Sequence, residues 1–210
     1  MQAYFAKWAG EEKAGPLPPP SPLVLLITSL GGFVAMGAVS AISVLSFGKD
    51  DGFLAIVGSY GALMVIMFGA PASPLAQPRN VLGGNLIATL VGVGSRVWIA
   101  DNMGTIGFAL PFAVTLSYFL MSVLGMVNPP AGGTAAICVI SSTEITHAGW
   151  KLVVTTSLYS LLFILVACLT INLIPGQSYP KYWFISSKYY YPKTPPPAPK
   201  VDDDPALTTI

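Results

Sequence analysis

Three prolines set between two long apolar runs most limit what this chain can become. From Gly69 to Gly92 it reads GAPASPLAQPRNVLGGNLIATLVG. Pro71, Pro74 and Pro78 lack a backbone N–H and fix their own φ, so no single helix can cross this stretch. One helix is expected to end near Gly69, and another to begin after Asn80, whose side chain suits an N-cap. In the second helix Gly84, Ala88 and Gly92 recur every four residues, a small-residue face that lets a neighbouring helix come close. Asn85 puts a carboxamide where an apolar residue is expected, and a buried amide needs hydrogen-bond partners.

The apolar runs are of membrane type. Of 210 residues, 53% are hydrophobic and 9% charged, against roughly 25% charged in soluble domains. A net charge of +1 with no basic stripe gives no reason to expect nucleic acid as a partner. Cys138 and Cys168 lie in apolar segments, where each reads as a small hydrophobe. The first twenty residues mix Glu11 and Glu12 with Lys7 and Lys13, which fits neither a secretory signal nor a transit peptide.

Taken in order, residues 1–21 form a polar, proline-rich N-terminal arm ending in PLPPPS. A first span is expected from Pro22 to Phe47, which at ~1.5 Å per residue exceeds the ~30 Å of hydrocarbon and so tilts. Lys49, Asp50, Asp51 and Gly52 read as a tight polar turn into a second span from about Phe53 to Gly69. Gly58 and Ala62 offer it a second close-packing pair. A third span covers about Val81 to Ala100, with Arg96 expected to snorkel and Trp98 to sit at the interface. A fourth covers about Ile106 to Val127.

The segment NPPAGGTAAICVISSTEITHAGW follows. Asn128, Pro129 and Pro130 stop the fourth span, and the proline pair can open a new helix over Ala131 to Ser142. A dozen residues reach only ~18 Å, so this is a half-helix or a short span tucked into the bundle. Asn128 and the amides of Ala131 to Gly133 could form a polar site that attracts an anion. The same residues also fit a packed helical break with no ligand, and the two readings stay open. Glu144 and His147 are expected at the water boundary. A last span runs from about Trp150 to Ile174, giving an all-α bundle of about five spans plus one half-helix over 22–176.

Residues 177–210 form an aromatic and proline-rich tail, disordered or laid on a partner. In it Tyr179, Tyr182, Trp183 and Phe184 suit an interfacial belt. One histidine, no cysteine pair at metal spacing and no phosphate loop leave a catalytic, metal or cofactor reading without support.

GAPASPLAQPRNVLGGN at Gly69 to Asn85, NPPAGGTAA at Asn128 to Ala136 and YPKYW at Tyr179 to Trp183 together resemble the HPP family of small polytopic membrane proteins. The resemblance covers about Pro22 to Trp183. It implies a compact bundle of four or more membrane helices, and in cyanobacteria and chloroplasts a link to nitrite transport. Carried over, the family's positions of interest fall on Pro74, Gln77, Pro78, Arg79, Asn80, Gly84, Asn85, Asn128, Pro129, Pro130, Gly132 and Gly133. Two depart from the pattern. Asn128 stands where the family has the His of its HPP motif, and Asn85 where it usually has His after a double glycine. An amide keeps hydrogen-bonding reach but takes no proton near neutral pH.

Two functions follow as expectations. The leading one is a non-enzymatic accessory subunit of a larger energy-converting complex in an organellar inner membrane, mitochondrial or chloroplast, with both tails on neighbouring subunits. The alternative is a small-anion carrier of nitrite class, with Asn85 and Asn128 facing a midplane cavity.

Overall fold

The computed structural model describes residues 19–47, 51–140 and 150–184. Among them are six α-helices and no strand: α1 Pro22–Phe47, α2 Asp51–Gly69, α3 Pro78–Ser95, α4 Ile106–Val123, α5 Pro129–Ile140 and α6 Trp150–Ile171. Pro22–Leu45, Pro78–Asp101, Ile106–Val123 and Lys151–Ile171 are each long and apolar enough to cross a membrane. The 19 residues of α2 rise about 28 Å, close to the hydrocarbon thickness. The short helix after Asn-Pro-Pro has 12 residues. The all-α membrane bundle expected from the sequence is the fold observed.

Local chemistry accounts for the boundaries. A one-turn 3-10 helix, Pro74–Ala76, is capped by the Ser73 hydroxyl, which accepts from Leu75 N at 3.2 Å. The Gln77 carbonyl then accepts from Asn80 N and Val81 N at 2.9 and 3.0 Å. Helix α3 therefore starts at Pro78, where a missing N–H costs nothing, with Gln77 as its N-cap residue. This corrects the expected start after Asn80: Asn80 lies inside the first turn.

Gly125 ends α4 four residues earlier than expected. Met126 N donates to Met121 O at 2.8 Å and Gly125 N to Ser122 O at 3.2 Å. These are the two bonds of a Schellman motif, which requires the left-handed conformation that Gly125 adopts at φ 63°. Asp51 and Gly52 belong to α2 rather than to a turn. Lys49, Asp50, Ser141, Ser142, Glu144 and His147 lie outside the described residues, as do the expected arm over 1–18 and the tail beyond 184.

Helix α3 is the hub, packed on α4, α5 and α6, while α1 lies against α2 and α6. Between α1, α2 and α6 the core is large and aromatic: Tyr60 stands edge-on to Tyr159 at 5.7 Å and tilted against Phe163 at 5.4 Å. Between α3, α4 and α5 it is made mostly of alanine, with Ala88, Ala131 and Ala135 around Met121 in one cluster and Ala100, Ala109, Ala113 and Val139 in another. Lipid removes the hydrophobic drive between helices, so close van der Waals contact must replace it, and small side chains permit that contact.

Candidate functional site

The small-residue face of α3 sets the geometry of the polar positions. A Cβ built on Gly84 would lie 2.6 Å from Asn128 Cβ, and one on Gly92 would lie 2.7 Å from Cys138 Cβ and 2.8 Å from Ala135 O. The small-residue face thus meets the connection before α5 at Gly84 and the α5 backbone at Gly92, with Ala88 clustered with Ala131 and Ala135 between them. Gly58 and Ala62 do not act this way, contrary to expectation. Both are exposed, because α2 turns Ser59, Tyr60, Leu63 and Met67 inward instead.

Asn85 is 1% exposed. Its Nδ2 donates to Val81 O at 3.0 Å and to Ser160 Oγ at 3.1 Å, and its Oδ1 accepts from Thr134 Oγ1 at 3.1 Å. Thr134 is 2.9 Å from Ser59 Oγ, and Tyr60 OH is 2.6 Å from Thr156 O and 3.0 Å from Ser160 Oγ. One turn along α3, Thr89 donates to Asn85 O at 2.8 Å and lies 3.0 Å from Thr156 Oγ1. At the far edge Ser43 of α1 meets Tyr159 OH. This uncharged seam of one amide and several hydroxyls ties α2, α3, α5 and α6 together at the centre of the bundle. Sequence reasoning found Asn85 but missed its partners. The available signal was spacing: Asn85 and Thr89, like Thr156 and Ser160, are four apart and so share a helix face.

A second polar lock sits on the proline-rich connection. Gln77, fully buried, donates from Nε2 to Pro71 O and Ser73 O, both at 2.9 Å, and accepts from Lys181 N at 2.8 Å. Tyr179 OH donates to Ala76 O at 2.8 Å. Asn172 receives Tyr179 N at 2.9 Å and donates to Tyr179 O at 2.7 Å, and α6 stops at Ile171 rather than at Ile174 because the backbone there tightens to i→i−3 bonds, Leu173 N to Thr170 O at 3.1 Å and Ile174 N to Ile171 O at 3.0 Å. Tyr179 is therefore not part of an interfacial belt. It is 2% exposed, and burial pushes its phenol well above the usual value, which keeps the donating proton in place. Trp183 and Phe184 do remain on the outside, 6.4 Å apart.

The start of α3 also grips the turn after α4. Asn80, fully buried, donates to Val127 O at 2.8 Å, and Arg79 donates from Nη2 to Leu124 O at 2.8 Å. Asn128 is likewise fully buried, yet neither atom of its amide has a hydrogen-bond partner among the described residues. Its backbone carbonyl accepts from Ala131 N at 3.1 Å. Pro129 and Pro130 strip the first two amides from α5, so its N-terminus offers an anion fewer donors than an ordinary helix start does. Pro130 is buried, Pro129 and Gly133 are exposed, and Gly132 is half-buried. Asn85 and Asn128 are both interior, but among the described residues the amide of Asn85 is bonded to Val81, Ser160 and Thr134 and that of Asn128 to none of them.

At the other end of α3 the backbone widens into a π-helical segment, Arg96–Asp101. Arg96 does not snorkel: it is 7% exposed, with Nε on Asp101 Oδ1 at 2.8 Å and Nη1 on Val139 O at 2.7 Å. A buried guanidinium is kept by its partners. Here they are a carboxylate on the same segment and a carbonyl in the last turn of α5. Trp98, 75% exposed, sits on the outer surface.

Residues 17–180 match the family described as HPP, transmembrane region. Two transmembrane proteins of Dictyostelium discoideum are similar to this chain. One is 33% identical over 181 residues, covering 86% of this chain and 63% of the relative. The other is 32% identical over 187 residues, covering 86% of this chain and 57% of the relative. The chain thus spans about three fifths of the length of the curated relatives it matches. No solved structure matches it.

Proposed function

The chain belongs to the HPP family of transmembrane proteins, and from that premise we propose that it is a non-enzymatic structural subunit of a larger membrane assembly. One observation carries the reading: Asn85 and Gln77, two of the family's polar positions, have their amides engaged on both the donor and the acceptor side by the chain's own groups. A substrate would have to displace bonds that join α3 to α5, α6 and the segment after α6. Asn in place of the family's His at two positions removes groups that titrate near neutral pH, which argues against proton-coupled movement. The finer form of the proposal is an accessory subunit of an energy-converting complex in an organellar inner membrane. Its apolar outer face, with Leu26, Phe33 and Leu45 of α1 exposed, would lie against lipid or neighbouring subunits.

Extraction in a mild detergent followed by native gel separation tests this. Migration far above a 22.0 kDa bundle, with other polypeptides in the band, is the expected result. Migration as a lone bundle or a simple homo-oligomer would remove the proposal.

A second reading, a small-anion carrier of nitrite class, is favoured by Asn128, whose buried amide has no partner among the described residues. Liposomes loaded with an anion-sensitive dye separate the two. Flux above empty vesicles that is lost in Asn128→Leu supports the carrier, and flux equal to empty vesicles supports the subunit.

A further inference from the structure

A groove of about 260 Å³ opens on the outer side of α3, with Arg79 at its mouth and Leu82, Leu86, Met126 and Phe184 along its walls. We infer that it holds an anionic phospholipid, the headgroup phosphate on Arg79 and one acyl chain along the aliphatic wall. This does not depend on the subunit reading.

Position and charge both point to that occupant. Arg79 is the second residue of a helix that spans the bilayer, so its guanidinium lies near the headgroup level. From Arg79 to Leu86 is seven residues, or about 10 Å down the helix axis, which is most of one leaflet's hydrocarbon. Gly83 keeps the wall flat: a Cβ there would fall 2.3 Å from Met126 Sδ, so only a bare backbone lets Met126 lie across it. Ser157, the one hydroxyl in the lining, donates its proton to Val153 O at 2.7 Å and presents no free donor to the slot. The floor is therefore apolar and the mouth cationic.

Arg79 has donors to offer. A guanidinium carries five N–H groups, and among the described residues its hydrogen bond is the one to Leu124 O. No carboxylate pairs with it among those residues, where the one ion pair is Arg96 with Asp101. Lys181, its main chain bonded to Gln77 two residues before Arg79 and its exposed ammonium on Ser178 Oγ at 2.9 Å, adds positive charge to the same end of the bundle without lining the groove. The planar fork of Arg79 suits a phosphate diester.

The test is native mass spectrometry of the purified protein in neutral detergent, with phosphatidylglycerol and phosphatidylcholine of identical chains supplied together. A cation near the surface favours an anionic lipid by about fivefold, so phosphatidylglycerol should be retained over phosphatidylcholine by about that factor or more. Arg79→Gln should abolish most of the preference, and Leu86→Asn should lower retention of both lipids. If Arg79→Gln fails to fold for want of its bond to Leu124, Lys181→Gln, at an exposed side chain, should still weaken the preference. Excess glycerol phosphate should not displace the lipid, since it lacks the chain. Equal retention of the two lipids, displacement by glycerol phosphate, or wild-type retention in all three variants would overturn the assignment. A photocrosslinker at Leu86 in native membranes should give adducts of lipid mass, and protein-sized adducts would assign the groove to a neighbouring subunit or a second copy instead.

Discussion

Gly92→Leu is expected to destabilise the bundle by about 3 kcal/mol or more, the upper end of what overpacking costs. The first added carbon alone would lie 2.7 Å from Cys138 Cβ, 2.8 Å from Ala135 O and 3.1 Å from Ala135 Cα. These are parts of the α5 backbone and a Cβ fixed to it, so no side-chain rotation relieves the contact and α5 must back away as a unit. Losing that contact opens the interface where the membrane offers no hydrophobic force to close it again. Gly94→Leu is the matched control. Nothing lies within 4 Å of a Cβ there, and leucine favours a helix over glycine by about 1 kcal/mol. Unfolding in detergent followed by far-ultraviolet circular dichroism reads both variants. A loss at Gly92 no larger than at Gly94 would mean that α3 and α5 do not touch.

Gln77→Leu is expected to cost about 3 kcal/mol, since three hydrogen bonds worth about 1 kcal/mol each disappear and their buried partners are left unmatched. The partners are Pro71 O, Ser73 O and Lys181 N, which belong to the connection itself and to the segment after α6. Loss of the amide should therefore release that segment as well as lower stability. Limited trypsin digestion at Lys181 reports the release directly, and cleavage should become faster in the variant. Tyr179→Phe removes one bond to the same connection and should cost about 1 kcal/mol. A Gln77→Leu protein within about 0.5 kcal/mol of wild type, with unchanged cleavage, would refute the lock; that is the range of an ordinary surface change.

What was legible in the sequence was whatever local chemistry decides. Pro22 and Gly69 mark helix ends because a missing N–H, or a glycine before proline-rich chain, acts within one turn, and the observed α1 and the end of α2 agree with them residue for residue. The membrane class and the family could likewise be read from apolar runs and three short motifs. Positions decided by a distant partner were misread. Asn80 has the chemistry of an N-cap, but Val127 O takes its amide from 47 residues away. Arg96 has the chemistry of a snorkelling cation, but Val139 O is 43 residues away and draws it inside. Spacing alone could not choose between the Gly84 and Gly58 faces, because a four-residue repeat of small side chains looks the same whether a neighbour covers it or not. The hydroxyl seam was missed for a related reason: serine and threonine in an apolar helix can satisfy themselves on their own backbone four residues back, so their presence does not announce a tertiary role.

The idea under all of this is that Asn85 is a brace between helices rather than an open polar site. A double-mutant cycle measures that directly, with Asn85→Ala and Ser160→Ala made singly and together and unfolding followed in mixed micelles. Hydrogen bonds between membrane helices average about 0.6 kcal/mol with a maximum near 1.7 kcal/mol, so a coupling of about 0.5–1.5 kcal/mol between the two substitutions is the expected result. Strict additivity, within about 0.3 kcal/mol, would contradict the brace and leave Asn85 available for something other than holding the bundle together.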